Sequence, residues 1–153
     1  MDRRPWLWLS LLALFCGCRP APQLPPTATP AEVFAAFDQA LKAGDAQGAC
    51  ATVDFNVIAA KENSDWDSIP TGQRQRITKR MAEETAAGLQ AMGYPTGGMT
   101  AGAPQVQGAQ ATIVATGGGK TLTLGLTQTA QGWRLTSGVP GMTTQSGMSA
   151  DKG

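Results

Sequence analysis

Between residues 29 and 92 the apolar residues recur at the three- and four-residue spacing of helices. The first helix begins at Thr29-Pro30-Ala31-Glu32, because Thr at the N-cap and Glu three residues later form a capping box and Pro suits the first turn. Its apolar face consists of Val33, Phe34, Phe37, Ala40 and Leu41. Gly44 is placed to end the helix in a left-handed conformation.

Two further helices are predicted before the pattern changes. Asp45 is placed to cap the second helix. The inner face of this helix should consist of Ala49, Cys50 and Val53, continued by Val57 and Ile58. A third helix should run over residues 72–92, until Gly93 and Pro95 stop it. Its apolar stripe consists of Ile77, Met81, Thr85, Leu89 and Met92.

From Gly97 onward the apolar positions alternate with polar ones, which is the period of a strand. The alternating positions are Ala111, Ile113 and Ala115, then Leu122, Leu124 and Leu126, then Trp133, Leu135 and Val139. A short strand near Gln105-Val106 begins this antiparallel meander. Helices first and strands second predict an α+β fold with about four strands. Since Trp133 alternates with Leu135, we also expect Trp133 to point into the core.

A separate apolar run lies at the N-terminus. Residues 6–15 are apolar except for Ser10, and Arg3 and Arg4 precede them. A membrane-spanning helix needs about 20 apolar residues, so this shorter run indicates an export signal. The following Phe15-Cys16-Gly17-Cys18 resembles the lipobox of bacterial lipoproteins, in which a small residue precedes the lipidated cysteine.

The lipobox resemblance implies that Cys18 becomes the first mature residue and carries acyl chains such as palmitate. Phe15 and Cys16 depart from the usual pattern of the motif. Cys16 is a weaker candidate for lipidation than Cys18. The alternative interpretation of the segment is an ordinary signal peptide or a buried helix. Family members that stay at the inner membrane tend to have Asp after the cysteine, whereas this chain has Arg19. The resemblance therefore implies an envelope protein, at the outer membrane and facing the periplasm if the host is Gram-negative.

These patterns divide the chain into four parts. Residues 1–17 are the predicted signal peptide, and residues 18–28 are the lipidated cysteine and a proline-rich tether that should be extended and pack into no core. Residues 29–141 form the predicted domain. The small polar residues 142–153 are a predicted flexible tail.

The domain resembles the nuclear-transport-factor-2-like superfamily of cone-shaped α+β proteins. The resemblance rests on the element order, on Ala40-Leu41-Lys42-Ala43-Gly44-Asp45, and on Gly132-Trp133-Arg134-Leu135 at the last strand. It implies N-terminal helices packed on a curved antiparallel sheet, with a conical cavity between them. A weaker resemblance, to the periplasmic phospholipid carriers of the Mla pathway, rests on Asp54-Phe55, Trp66 and Gln73-Arg74-Gln75-Arg76.

Charge and composition narrow the classes of function. Removing residues 1–17 takes away two arginines and one aspartate, so the 12 basic and 11 acidic side chains become 10 and 10. A neutral domain argues against nucleic acid as a partner, since such binding rests on neutralised phosphates. The chain has no histidine, and after export and lipidation Cys50 is the one free thiol, so we expect neither a metal nor another cofactor. Cys50 itself should be a small buried residue.

Candidate acids and bases are sparse. No Asp or Glu occurs between Glu84 and Asp151, so the predicted sheet offers no general base and Tyr94 lies only near its entrance. An enzyme would have to use carboxylates on helices, Asp38 or Asp54, for which a capping or surface role is the expectation. We therefore predict no catalytic residue.

Two sets of residues are candidates for binding. The predicted lining of the cavity is Leu122, Leu124, Leu126, Trp133 and Leu135, and the alternative wall is the opposite, Thr-bearing face of the strand that carries the three leucines. A basic patch that could bind anionic headgroups or an acidic partner consists of Arg74, Arg76, Lys79 and Arg80. The alternative is an ordinary solvated helix face, on which Lys79 pairs with Glu83 and Arg80 pairs with Glu84. The sequence favours a membrane-tethered, non-enzymatic protein that binds a partner protein or an apolar ligand. A lipid-carrier-like protein and an enzyme with helix-borne carboxylates are the alternatives.

Overall fold

The computed structural model describes residues 23–142, and Cys18 lies outside this range. Four helices precede five strands, which confirms the α+β prediction. The helices are α1 Pro30–Lys42, α2 Ala46–Cys50, α3 Phe55–Glu62 and α4 Thr71–Ala91, with a short 3₁₀ turn at Trp66–Ser68. The strands are β1 Thr100–Ala101, β2 Gln105–Gln107, β3 Gln110–Gly117, β4 Lys120–Thr129 and β5 Gly132–Ser137.

Local signals set the start and end of α1 as predicted. The Thr29 hydroxyl accepts a hydrogen bond from the Glu32 amide, and the Glu32 carboxylate accepts from the Thr29 amide at 2.6 Å. Gly44 follows the helix with φ +72°, a conformation that glycine adopts without the usual steric cost. The carboxylate of Asp45 then caps α2 by accepting from the Gly48 amide at 2.7 Å.

The predicted second helix is wrong in one respect, because the chain leaves the helical conformation between α2 and α3. Val53 forms a parallel bridge with Leu135, in which the Asp54 amide donates to the Leu135 carbonyl at 3.0 Å. The Asp54 side chain then caps α3 through the amides of Asn56 and Val57. A tertiary pairing with β5 therefore overrides the helical pattern of this segment.

The five strands form one curved, open antiparallel sheet in the order β1-β3-β4-β5, with β2 on the same edge of β3 as β1. The predicted phase is confirmed for β3, in which Ala111, Ile113 and Ala115 are buried and the residues between them are exposed. Trp133 is only half-buried, at the rim of the core. Sequence patterning missed β1, which has only two residues.

The core lies between α1 and the inner face of the sheet. Its fully buried large side chains include Phe37 and Val33 from α1 and Ile113, Leu124, Leu126 and Leu135 from the sheet. Residues at the end of the predicted tether also join the core, since Ala28 is buried and Leu24 packs against the cluster. The expectation that the whole proline-rich stretch packs into no core is therefore wrong for its last residues.

Candidate ligand pocket

One carboxylate is buried at the end of α1. Asp38 is 6% exposed and accepts hydrogen bonds from the Tyr94 hydroxyl and from the Met99 amide, both at 2.7 Å. The Lys42 ammonium lies 2.9 Å from its second oxygen, one helical turn further along α1. Asp38 thus connects the first helix to the loop between α4 and β1.

A glycine in the loop between α4 and β1 allows the loop backbone to approach the Asp38 carboxylate closely. Gly98 has φ +73°, and a Cβ atom there would lie 2.8 Å from both oxygens of Asp38. No side chain fits at this position without moving the carboxylate, since such contacts lie well inside van der Waals distance. The Gly97-Gly98 pair, which sequence reasoning used only to mark the change of period, therefore lets the loop close over Asp38.

The environment shifts the pKa values of Asp38 and Tyr94 in opposite directions. Burial raises the pKa of Asp38, but the hydrogen bonds from Tyr94, Lys42 and Met99 outweigh burial and hold that pKa below its ordinary value. Burial, together with the bond to Asp38, raises the pKa of Tyr94. Asp38 is thus an ion held by three donors and Tyr94 a neutral donor, an arrangement that suits a structural clamp better than a general base.

A cavity of about 430 Å³ opens beside this clamp. Its apolar wall includes Leu41, Leu89 and Pro95, and its polar side includes Lys42 and Tyr94. Gln90 and Thr96 lie at its rim and are exposed. We call it the Lys42–Tyr94 pocket. Its volume lies in the range of small-molecule sites, which combine an apolar wall with a few polar groups.

The pocket lies at the end of the domain that carries the β3–β4 turn. A Cβ atom on Gly118, in that turn, would lie 2.9 Å from Cγ of Pro95. Gly117 packs against the backbone of Gly98 and Met99 in the same way. The turn therefore supports the loop that carries Tyr94.

The side chains predicted to line a cavity lie elsewhere. Leu124, Leu126 and Leu135 are fully buried in the core, while Leu122 and Trp133 are half-buried against it. None of the five borders the Lys42–Tyr94 pocket. These leucines fill the space between helices and sheet.

The predicted basic patch is divided between two sides of α4. Arg74 is half-buried and lies 3.8 Å from a carboxylate oxygen of Asp67, whereas Arg76 is exposed. Because the two residues are two positions apart, their side chains diverge by about 160° around the helix axis. The expected pairs Lys79–Glu83 and Arg80–Glu84 are present at 3.9 and 3.8 Å, and all four side chains are exposed.

Asp54, the other carboxylate considered for catalysis, borders a polar cavity of about 440 Å³. One of its oxygens accepts the two backbone bonds that cap α3. Lys79, Gln131 and Arg134 border the same cavity, which we call the Lys79–Arg134 groove. A third cavity, of about 370 Å³, lies between α3 and the segment after β5 and is mostly apolar.

Cys50 is buried, as predicted, and burial raises the pKa of its thiol to about 11. Within residues 23–142, no group of three or more His, Cys, Asp or Glu side chains could hold a metal ion. None of the helices in that range is long and apolar enough to cross a membrane.

Comparison with known proteins gives no match to a family model, to a curated protein or to a solved structure.

Sequence reasoning found the parts of the pocket but not the pocket itself. It singled out Asp38 as a carboxylate on a helix and placed Tyr94 near the entrance to the sheet. The two residues are 56 positions apart, and no local pattern indicates that their side chains meet. One available signal was the Asp38–Lys42 spacing of four residues, which places both groups on one helix face.

Proposed function

We propose that this chain is a lipid-anchored, non-enzymatic binding protein of the bacterial envelope. It takes up, in the Lys42–Tyr94 pocket, an apolar ligand that carries one anionic group. The anchor is Cys18, and the membrane is the outer one, facing the periplasm, in a Gram-negative host. The observation that carries the binding proposal is the pocket itself, with an apolar wall and one cation at its rim.

The ligand class follows from the lining. Pro95, which is half-buried, and the small exposed parts of the otherwise buried Leu41 and Leu89 offer apolar contact to a hydrophobic body. The Lys42 side chain is 41% exposed, so its ammonium can reach an anion in the pocket while it keeps its contact with Asp38. An ammonium has three donors, and the contact with one oxygen of Asp38 occupies one of them, which leaves two for an anion.

The state of Asp38 supports binding rather than catalysis. A general base needs a pKa near the working pH. The carboxylate of Asp38 already accepts from three groups, and its pKa is lowered. Turnover of any substrate that is lost in Asp38→Asn or Asp54→Asn would overturn the proposal in favour of an enzyme.

Two experiments test the two parts of the proposal. For the anchor, Cys18→Ser should abolish incorporation of labelled palmitate, and continued labelling would transfer the proposed modification to Cys16. For the pocket, 8-anilino-1-naphthalenesulfonate is a suitable probe, because it is an apolar aromatic anion. Its binding should be lost in Thr96→Trp, at the pocket rim, and kept in Thr112→Trp, on the exposed face of β3. Equal binding by both variants would contradict the assignment of the pocket.

A further inference from the structure

The described part of the proline-rich segment is attached at one end of the domain. The backbone of Pro26 packs on Gly132, at the turn between β4 and β5, and a Cβ atom on Gly132 would lie 2.5 Å from the Pro26 carbonyl oxygen. Gly132 has φ +93°, which also favours glycine there. Leu24 and Ala28 hold the segment on either side of this contact.

This attachment limits how far the domain can move from a lipid anchor. Leu24 lies six positions after Cys18. In any conformation such a stretch spans at most about 20 Å, because an extended chain covers roughly 3.3–3.6 Å per residue. If Cys18 carries acyl chains in the bilayer, the β4–β5 turn therefore stays close to the lipid headgroups.

The Lys42–Tyr94 pocket lies at the opposite end. The ten residues of β4 run from the β3–β4 turn, which supports the pocket loop, to the β4–β5 turn, which holds the tether. A strand of that length covers roughly 30 Å. A short tether at one end thus directs the pocket away from the membrane.

The tether end carries basic side chains. The Lys79–Arg134 groove reaches Gln131, the residue next to Gly132. Lys79 and Arg134 border this groove, and Arg76 is exposed one turn before Lys79 on α4. Arg19 lies beside the anchor in the sequence.

Two carboxylates oppose these cations without neutralising them fully. Asp54 uses one oxygen to cap α3, and Glu83 lies 3.9 Å from Lys79 with both side chains exposed, a geometry that contributes little in water. Each Lys or Arg held near an anionic bilayer raises the affinity of the protein for that membrane roughly fivefold.

We propose that the β4–β5 end of the domain rests on anionic phospholipid headgroups, which Lys79, Arg134 and Arg76 contact, so that the Lys42–Tyr94 pocket faces away from the membrane. This inference rests on the proposed acylation of Cys18. It goes further by fixing the orientation of the domain and the chemistry of the surface that it touches.

The test uses the full mature lipoprotein in vesicles. A fluorophore is attached at Gln131→Cys in one sample and at Lys120→Cys in another, both exposed positions at opposite ends of β4. The vesicles contain either phosphatidylcholine alone or phosphatidylcholine with phosphatidylglycerol, together with a lipid that carries a quencher on its headgroup. The mass of each sample verifies acylation, so a failed anchor is distinguished from a wrong orientation.

We expect stronger quenching at position 131 than at position 120 in vesicles with phosphatidylglycerol, and a smaller difference in phosphatidylcholine alone. The double variant Lys79→Glu with Arg134→Glu should lose the extra quenching, whereas Lys61→Glu should keep it. Equal quenching at both positions of acylated protein, or no effect of the double variant, would overturn the proposal. Loss of the extra quenching on addition of inorganic phosphate at constant ionic strength would indicate a phosphate site and would overturn it too.

Discussion

Gly88 of helix α4 and Gly141 of the C-terminal segment are in direct backbone contact. A Cβ atom on Gly88 would lie 2.6 Å from the carbonyl oxygen of Gly141, and Gly141 itself has φ +81°. A glycine inside a helix costs roughly 1 kcal/mol relative to alanine. Its presence here is explained by the crossing of the segment that follows β5, which a side chain would obstruct.

This contact predicts that Gly88→Ala lowers the free energy of unfolding by about 1–3 kcal/mol, the usual cost of overpacking, despite the better helix propensity of alanine. Gly72→Ala is the control, because a Cβ atom at Gly72 meets nothing within 4 Å. Chemical denaturation should find this second variant as stable as the wild type or slightly more stable. A stabilised Gly88→Ala protein would show that the C-terminal segment does not cross α4 there.

The Asp38 clamp predicts a dependence of stability on acid. The carboxyl binds its proton less tightly in the folded chain than in the unfolded chain, because its folded pKa is lowered. Its contribution is therefore complete above the unfolded value, about pH 4, and is lost as the pH falls through the folded pKa. The stability difference between wild type and Asp38→Asn should be constant near neutrality and shrink in acid.

Tyr94→Phe tests the same clamp without changing a charge. The variant removes the hydroxyl that donates to Asp38 at 2.7 Å and should cost about 1–3 kcal/mol, as expected for a hydrogen bond to an ionised partner. Denaturation curves of this variant and of Asp38→Asn should be far from additive in the double variant. Additive effects would mean that the two side chains do not interact.

Much of the fold is predictable because its signals are local. The capping box at Thr29, the left-handed Gly44 and the cap at Asp45 each act within a few residues, and each is present as expected. The strands follow from the alternation of buried and exposed residues. The break after α2 is different in kind, because it depends on the pairing of Val53 with Leu135, far away in the sequence.

The pocket could not be predicted for the same physical reason. The leucines of β4 alternate in a pattern that fits either the lining of a cavity or a filled core. Only the packing of α1 against the sheet distinguishes these two possibilities. Leu124 and Leu126 are fully buried in the core, which leaves the cavity to the ends of α1 and α4 and to the loop around Tyr94.

Adjacent residues of β3 provide a test of the strand phase. Ile113 is fully buried and Val114 is 46% exposed. Ile113→Ala should cost about 2–5 kcal/mol, the range for emptying a buried aliphatic site. Val114→Ala should cost less than about 1 kcal/mol, since surface changes in strands act mainly through β propensity. A larger loss for Val114→Ala than for Ile113→Ala in thermal denaturation would mean that the two faces of the sheet are assigned the wrong way round.

Trp133→Ala extends the test to β5. Because Trp133 is half-buried at the rim of the core, its removal should cost about 2–3 kcal/mol, at or below the lower end of the range for a fully buried aromatic side chain. Its fluorescence should be partly accessible to a soluble quencher. A melting temperature that does not change would place the ring in solvent.

The most direct test of the account is mass spectrometry of the native protein, purified from membranes in mild detergent. We expect a chain that begins at Cys18 and carries acyl chains, together with a small amphipathic anion that dissociates on activation. In Thr96→Trp the acyl mass should remain and the small ligand should be absent. An unmodified Cys18, or a ligand retained equally by wild type and Thr96→Trp, would contradict the account of a lipid-anchored protein that binds its ligand beside Tyr94.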